Sequence, residues 1–84
     1  MTFIFSKHAL EQMALRNISK EIVEEIIYKP EQTIRERGIT IYQAVRTLEN
    51  ENKYLIRIFV NNEKNPEVII TVYRTSKISK YHEG

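Results

Sequence analysis

Side chains suited to binding a phosphate gather towards the end of the sequence. The segment TVYRTSKISKYH has no acidic residue and combines cations with phenol rings, namely Arg74, Lys77, Lys80, Tyr73 and Tyr81. Arginine grips a phosphate at two points, lysine acts as a point charge, and tyrosine stacks on unpaired bases. The segment is therefore typical of a surface that binds single-stranded RNA, although lysines near strand ends also serve simply to discourage edge pairing.

Two arginines earlier in the chain, Arg46 and Arg57, lie on strands that are predicted to neighbour this segment. Arg57 alternates with apolar residues and falls on the same side of its strand as Leu55. The register of the preceding strand is not set by the sequence, so either Val45 or Arg46 points towards that side.

His8 is the residue best suited to proton transfer, because an imidazole titrates at about pH 6.5. It lies in the first turn of a predicted helix, whose positive end favours the neutral ring that a general base requires. The alternative is a histidine that is only exposed, or one that is packed with its ring hydrogen bonds satisfied. The sequence leaves both interpretations open.

Two short helices are predicted at the start of the chain. Ser6 and Ser19 are suitable N-caps for helices over residues 7–16 and 20–29, each with an apolar stripe at helical spacing. Pro30 ends the second helix, and the short link between the two predicts a helical hairpin.

After Pro30 the apolar period changes from that of a helix to that of a strand. Strands are predicted over residues 32–37, 39–48, 53–60 and 67–75. Gly38 indicates a turn or bulge, and the short connections predict an antiparallel meander. The expected architecture is α+β, with two N-terminal helices packed on a four-stranded antiparallel sheet in a single domain over residues 1–84.

Alternation along the last two strands divides the predicted sheet into two faces. The face expected under the helices carries Tyr54, Ile56, Ile58, Val60, Val68, Ile70 and Val72. The second face mixes apolar, hydroxyl and cationic side chains, namely Leu55, Arg57, Phe59, Ile69, Thr71 and Tyr73. A merely solvated face would more often carry Lys, Glu and Thr throughout, so the second face is the expected site.

The composition excludes several kinds of chemistry. The chain has no cysteine and no aspartate, which excludes thiol nucleophiles, zinc–thiolate sites and aspartate-based metal cages, and no cofactor or metal is expected. Its two glycines cannot supply a phosphate-binding loop. The net charge of +2 is mildly basic, and the N-terminal apolar run is too short for a signal peptide or a membrane span. A cytoplasmic protein without a membrane partner is expected.

Three stretches, FSKHALEQMALRNIS, EIVEEIIYKPE and RIFV followed by VIITVYRTSKISKY, resemble a family catalogued as a domain of unknown function, number 4258. That family is similar to toxins of the RelE and BrnT type, which are small metal-independent ribonucleases of toxin–antitoxin systems with two helices on an antiparallel sheet. The resemblance covers nearly the whole chain. Gln12 stands where the family often has arginine, and Asn17 where it often has glycine.

The resemblance implies a site and a mechanism. The catalytic residues expected are His8, Arg57, Thr71 and Tyr73, to which the division into faces adds Arg46. The residues that the resemblance implies for RNA contact are Arg16, Lys77 and Tyr81, to which the basic C-terminal segment adds Arg74 and Lys80. In the implied reaction the ribose 2′-hydroxyl attacks the phosphate, His8 acts as base or acid, and the arginines stabilise the phosphorane.

The expected function is therefore that of a toxin-like endoribonuclease that cleaves RNA, such as messenger RNA, within a toxin–antitoxin system. Two alternatives stay open. In one, the cations bind RNA or an acidic antitoxin-like protein without any chemistry. In the other, the protein pairs with a second copy or another protein through an edge strand or through Leu55, Phe59 and Ile69.

Overall fold

The computed structural model describes residues 3–48 and 51–81, which form five strands and three helices. In chain order these are β1 (Phe3–Phe5), α1 (Lys7–Arg16), α2 (Lys20–Tyr28), β2 (Gln32–Glu36), β3 (Ile39–Thr47), β4 (Lys53–Asn61), β5 (Glu67–Thr75) and α3 (Ile78–Tyr81). None of the described helices has the length and apolar character needed to cross a membrane. His82, at the end of the basic segment, lies outside the described residues.

Two serine caps start the long helices where the sequence predicts them. Ser6 Oγ accepts a hydrogen bond from the Ala9 amide at 3.0 Å, and Ser19 Oγ accepts one from the Ile22 amide at 3.2 Å. Each bond satisfies an amide that has no partner within its own helix. Ser6 Oγ also donates to the Ile70 carbonyl at 2.8 Å, so this cap ties α1 to β5.

The five strands form one mixed sheet in the order β1-β5-β4-β3-β2. β2 to β5 form the antiparallel meander that the sequence predicts, but β1 adds to the outer edge of β5 in the parallel direction. The expected architecture of two helices on a four-stranded antiparallel sheet is therefore wrong. β1 has only three residues, too few to display a strand period, and the four residues of α3 give an equally weak helical signal.

The hairpin between β2 and β3 turns at Arg37 and Gly38. Glu36 pairs with Ile39, so the loop has two residues, and their φ angles are +43° and +80°. Two positive φ angles characterise the type I′ turn, whose twist matches that of the flanking strands. A Cβ atom at Gly38 would lie 2.6 Å from Cδ of Glu63, so a larger residue would displace that exposed side chain, and the positive φ angle is what favours glycine here.

The apolar core lies between the two long helices and one face of the sheet, which we call the helix side. Its fully buried members are Ala9, Val23, Ile26, Ala44, Ile56, Ile58, Val60, Ile69 and Val72. Burying a large aliphatic side chain completely contributes about 1.5–3 kcal/mol to stability, so this side is the main source of cohesion. The opposite face of the sheet is the second face.

A β-bulge in β5 changes which side chains face the helices. Phe59 pairs with Thr71, whereas the next residue of β4, Val60, pairs with Ile69, so that Ile70 is an extra residue in β5. An extra residue reverses the alternation on one side of the bulge. Ile69 therefore lies in the helix-side core, whereas uninterrupted alternation predicts it on the second face.

Candidate functional site

A row of polar side chains crosses the middle of the second face. Gln32 of β2 pairs with Gln43 of β3, Gln43 pairs with Arg57 of β4, and Arg57 pairs with Tyr73 of β5. Side chains at paired positions of neighbouring strands stand side by side on one face. These four residues, here called the polar row, thus extend across four neighbouring strands.

Hydrogen bonds join the whole polar row. Gln43 Nε2 donates to Gln32 Oε1 at 2.6 Å, and Arg57 Nε donates to Gln43 Oε1 at 2.8 Å. Arg57 Nη1 donates to the Tyr73 hydroxyl oxygen, so the phenol proton is left to donate to a further acceptor. Gln43 is fully buried, and these bonds replace the water that its amide would otherwise bind.

Three aromatic rings surround the Arg57 guanidinium group. Its Cζ atom lies 4.7 Å from the ring centroid of Tyr81, 5.4 Å from that of Phe59 and 5.6 Å from that of Tyr73. The Phe59 and Tyr73 rings stack on each other with centroids 5.7 Å apart. All three cation-to-ring distances fall within the range of cation–π attraction, about 6 Å. We call Arg57, Phe59, Tyr73 and Tyr81 the Arg57 cluster.

The short helix α3 covers part of this cluster. Gln43 Nε2 donates to the Tyr81 carbonyl oxygen at 2.9 Å, which ties the end of α3 to the sheet. The turn into α3 is closed by a hydrogen bond from the Lys77 amide to Thr75 Oγ1 at 3.1 Å. Lys77 and Lys80 are both exposed. Residues 75–81 thus fold back over the second face and place Lys77 and Lys80 at the margin of the cluster.

Arg57 is a half-buried cation that has no carboxylate beside it among the described residues. Within residues 3–48 and 51–81 no glutamate lies at ion-pair distance from its guanidinium group, whereas Arg46 approaches Glu31 at 3.9 Å. Two of its five N–H bonds are used within the polar row, which leaves three for another acceptor. Because charged groups removed from water are ordinarily paired, the arrangement is suited to an anion from outside the chain.

Four of the residues predicted for the site meet on the second face. Arg57, Tyr73 and Tyr81 belong to the Arg57 cluster, and Thr71 occupies the neighbouring outward position of β5 on the same face. Lys80 Nζ lies 5.4 Å from the Tyr81 ring and so borders the cluster. These side chains come from two strands and the C-terminal helix.

Arg46 and Arg74 point to the helix side instead. Arg46 pairs with Tyr54 and Arg74 pairs with Ile56, and both partners contact the helix-side core. The register thus places Val45, rather than Arg46, on the second face and resolves the alternative that the sequence leaves open. Arg46 and Arg57 lie on opposite faces of the sheet.

His8 and Arg16 belong to α1, which packs on the helix side. Ala9 and Met13 of this helix are buried against the sheet, whereas His8 is exposed. The sheet therefore separates His8 from Arg57, and the single pocket predicted to contain both does not form in this structure. The part of the chain that the structure describes has no three metal-ligating side chains grouped around a common point.

Two residues of the polar row, Gln32 and Gln43, are absent from the sequence-based prediction. A signal for Gln43 is present nonetheless, because it alternates with Ile41 and Val45 along a strand that otherwise reads as apolar on that face. An amide at such a position indicates a buried hydrogen-bond network. Its partners could not be identified without the strand register.

A family model described as "Domain of unknown function (DUF4258)" matches residues 5–74. The match contains the polar row and Phe59, and it ends before α3, which supplies Tyr81. No curated protein and no solved structure matches the chain.

Proposed function

We propose that this chain, which belongs to the DUF4258 family, binds single-stranded RNA on the second face of its sheet. The observation that supports this function is the Arg57 cluster, a half-buried guanidinium group without a described carboxylate partner and surrounded by three aromatic rings. The cation suits a phosphodiester, and the rings suit unpaired bases.

The chemistry of the cluster favours a single strand over a duplex. A guanidinium group binds phosphate oxygens through two parallel hydrogen bonds, and the three N–H bonds of Arg57 outside the polar row are sufficient for this contact. Stacking of a base on an aromatic side chain contributes about 1–3 kcal/mol and requires a base that is not enclosed in a helix. Exposed Lys77 and Lys80 would add charge at the margin of the site.

The test is a binding titration of a labelled single-stranded RNA with the full chain and with Arg57→Met. This substitution removes the charge and keeps an unbranched stem. Loss of charge-assisted hydrogen bonds worth about 1.5–3 kcal/mol should raise Kd about 10- to 100-fold. Arg35→Met is the matched control, because Arg35 is exposed on β2 and pairs with Thr40, away from the cluster.

Arg35→Met should change Kd by no more than about twofold at the same salt concentration, because a single exposed charge away from the site contributes little. Equal effects of the two substitutions would refute binding at the second face. Circular dichroism of each variant excludes unfolding as the cause of weaker binding.

Cleavage of the bound RNA is a second candidate function, favoured by the contact between Arg57 Nη1 and the Tyr73 hydroxyl. The ribose 2′-oxygen would attack phosphorus, the P–O5′ bond would break, and the Tyr73 proton would pass to the leaving 5′-oxygen. The 2′-hydroxyl proton would pass to solvent, solvent would return a proton to the Tyr73 phenolate, and the products would be a 2′,3′-cyclic phosphate and a 5′-hydroxyl. Arg57 would stabilise the negative charge of the phosphorane.

The expected similarity of the DUF4258 family to RelE and BrnT toxins motivates this second candidate. In such a role the substrate would be messenger RNA in the cytoplasm, and a small antitoxin protein would be the partner. Metal-independent cleavage requires no ligand beyond the RNA itself, since the substrate supplies its own nucleophile.

Incubation of labelled RNA with the protein in excess chelator separates binding from cleavage. If the second candidate is right, fragments ending in cyclic phosphate appear, and Tyr73→Phe slows their formation about 100- to 10,000-fold while RNA still binds. His8→Ala should leave the rate unchanged, and its loss of cleavage would instead assign proton transfer to His8. Intact RNA that remains bound supports the binding function alone.

A further inference from the structure

A second pairing of arginine with tyrosine lies on the helix side, where β4 begins and β5 ends. Cζ of Arg74 lies 4.3 Å from the ring centroid of Tyr54. Arg46 is the paired neighbour of Tyr54 on β3, so two arginines flank this ring on one face. All three side chains are half-buried. We call Arg46, Tyr54 and Arg74 the Arg74 group.

The Arg74 group has the properties of an anion site. A guanidinium group at this distance from a tyrosine ring is held in place by cation–π attraction while the N–H bonds along its rim can still reach a phosphate. In the described part of the chain no carboxylate lies at ion-pair distance from Arg74. Arg46 Nη1 donates to the Val45 carbonyl oxygen at 2.9 Å and lies 3.9 Å from Glu31 Oε2, so Arg74 supplies the N–H bonds of this site and Arg46 adds positive charge beside it.

The edge of the sheet connects the Arg74 group with the Arg57 cluster. Tyr73 and Arg74 are consecutive residues of β5 and point to opposite faces. β1 pairs only with residues 67–69 of β5, so no described strand pairs with the outer edge of residues 71–75. A ligand that passes round this edge, which has no strand pairing but lies beside α1 packed on β5, meets Tyr73 on one face and Arg74 on the other.

We infer that the Arg74 group is a second phosphate-binding site for the same RNA strand, which passes round the open edge of β5 from the Arg57 cluster. This inference rests on the proposed RNA-binding function. A sheet layer with its side chains is on the order of 10 Å thick, so the two sites would contact phosphates that are more than one nucleotide apart. The ligand class is a flexible single-stranded polynucleotide, because a rigid duplex cannot bend round one strand edge.

The length of the RNA tests the inference. Binding of a dinucleotide and of a single strand of about 12 nucleotides, a length within the usual range of single-strand sites, is measured for the full chain and its variants. Arg74→Met should weaken the longer RNA about tenfold and leave dinucleotide binding unchanged. Arg57→Met should weaken both ligands, and Arg35→Met should weaken neither by more than about twofold.

A second variant separates charge from folding. Arg74→Lys keeps the positive charge and the aliphatic stem but loses two-point contact, so it should weaken the longer RNA only by about threefold. The inference is overturned if Arg74→Met binds the longer RNA as the unmodified chain does, or if it weakens both lengths equally. Failure of the proposed function has a different signature, in which Arg57→Met leaves both ligands unaffected.

Discussion

The two faces of the sheet use neighbouring residues of the same strand for different purposes. On β4, Ile56 and Ile58 are fully buried against the helices, whereas Arg57 between them enters the polar row of the second face. The helix side is held together by apolar contact, whereas the second face combines oriented hydrogen bonds with a ring stack and the buried Leu55. The comparison teaches that strand alternation separates the residues that stabilise this fold from those that form its candidate site.

The two faces also differ in how much each side chain stabilises the fold. A fully buried isoleucine contributes about 1.5–3 kcal/mol, whereas one hydrogen bond in a folded chain contributes a net 0.5–1.5 kcal/mol, roughly half as much. Replacing one member of the polar row lowers the free energy of unfolding substantially only if its partners remain buried without a hydrogen bond. Substitutions on the two faces should therefore separate stability from binding.

The largest expected effect is that of Ile58→Ala on the helix side. Ile58 is fully buried in the core, and removing most of its side chain leaves a cavity between the helices and the sheet. The free energy of unfolding should fall by about 2–5 kcal/mol, measured by urea denaturation. Arg57→Met at the adjacent position should lower it by about 1–3 kcal/mol, because buried Gln43 Oε1 then loses its donor.

The comparison between the faces fails if these two substitutions have the same effect on stability. Binding of RNA to the two variants sharpens the comparison. The Kd of folded Ile58→Ala, measured at low temperature, should stay within about twofold of that of the unmodified chain, whereas Arg57→Met should bind RNA much more weakly. That pattern would assign cohesion to one face and binding to the other.

A smaller effect is expected from Gln43→Leu at the centre of the polar row. Leucine has a similar size, but it leaves Gln32 Oε1, the Arg57 Nε–H group and the Tyr81 carbonyl without their partner. Unsatisfied buried groups should lower the free energy of unfolding by about 1–3 kcal/mol. Since Gln43 also ties α3 to the sheet, the amides of α3 should exchange hydrogen faster.

Gln32→Leu is the control, because Gln32 accepts only one of these bonds and lies at the end of the row. It should cost less than about 1.5 kcal/mol and leave exchange in α3 unchanged. Unaltered exchange in α3 of Gln43→Leu would mean that this helix is held by other contacts.

Much of the fold follows from the sequence, because local signals determine the elements. The caps Ser6 and Ser19 begin the two long helices, and the alternation after Pro30 predicts four strands, each within one or two residues of its observed ends. The parallel addition of β1 and the bulge at Ile70 are not local signals. They depend on which edge is open and on which residues pair, and three residues of β1 carry no readable period.

Some residues of the candidate site can likewise be placed from local sequence patterns, and others cannot. Alternation correctly groups Arg57, Thr71 and Tyr73 on one face, because these three lie on two strands whose period is regular beyond the bulge. The position of Arg46 relative to Arg57 depends on the register between β3 and β4. The position of His8 relative to Arg57 depends on which face of the sheet α1 packs against. Neither is encoded within a short segment, so both required the tertiary structure.

The smallest expected effect is that of Lys80→Gln at the margin of the Arg57 cluster. Lys80 is exposed and its Nζ atom lies near the Tyr81 ring, so the substitution should not alter the free energy of unfolding measurably. A lysine that neutralises one phosphate of a single strand contributes about 0.7 to the slope of log K against log salt concentration. Titrations at several salt concentrations should show that decrease and a few-fold weaker binding at low salt.

Lys29→Gln provides the matched control, since Lys29 is also exposed but caps the end of α2, which packs on the helix side. Both substitutions lower the net charge by the same amount, so any difference between them comes from position alone. An unchanged salt slope in Lys29→Gln, beside a reduced one in Lys80→Gln, places the RNA phosphates next to α3. Equal reductions would mean that RNA responds to the overall positive charge, and the distinction between the two faces would then apply to stability only.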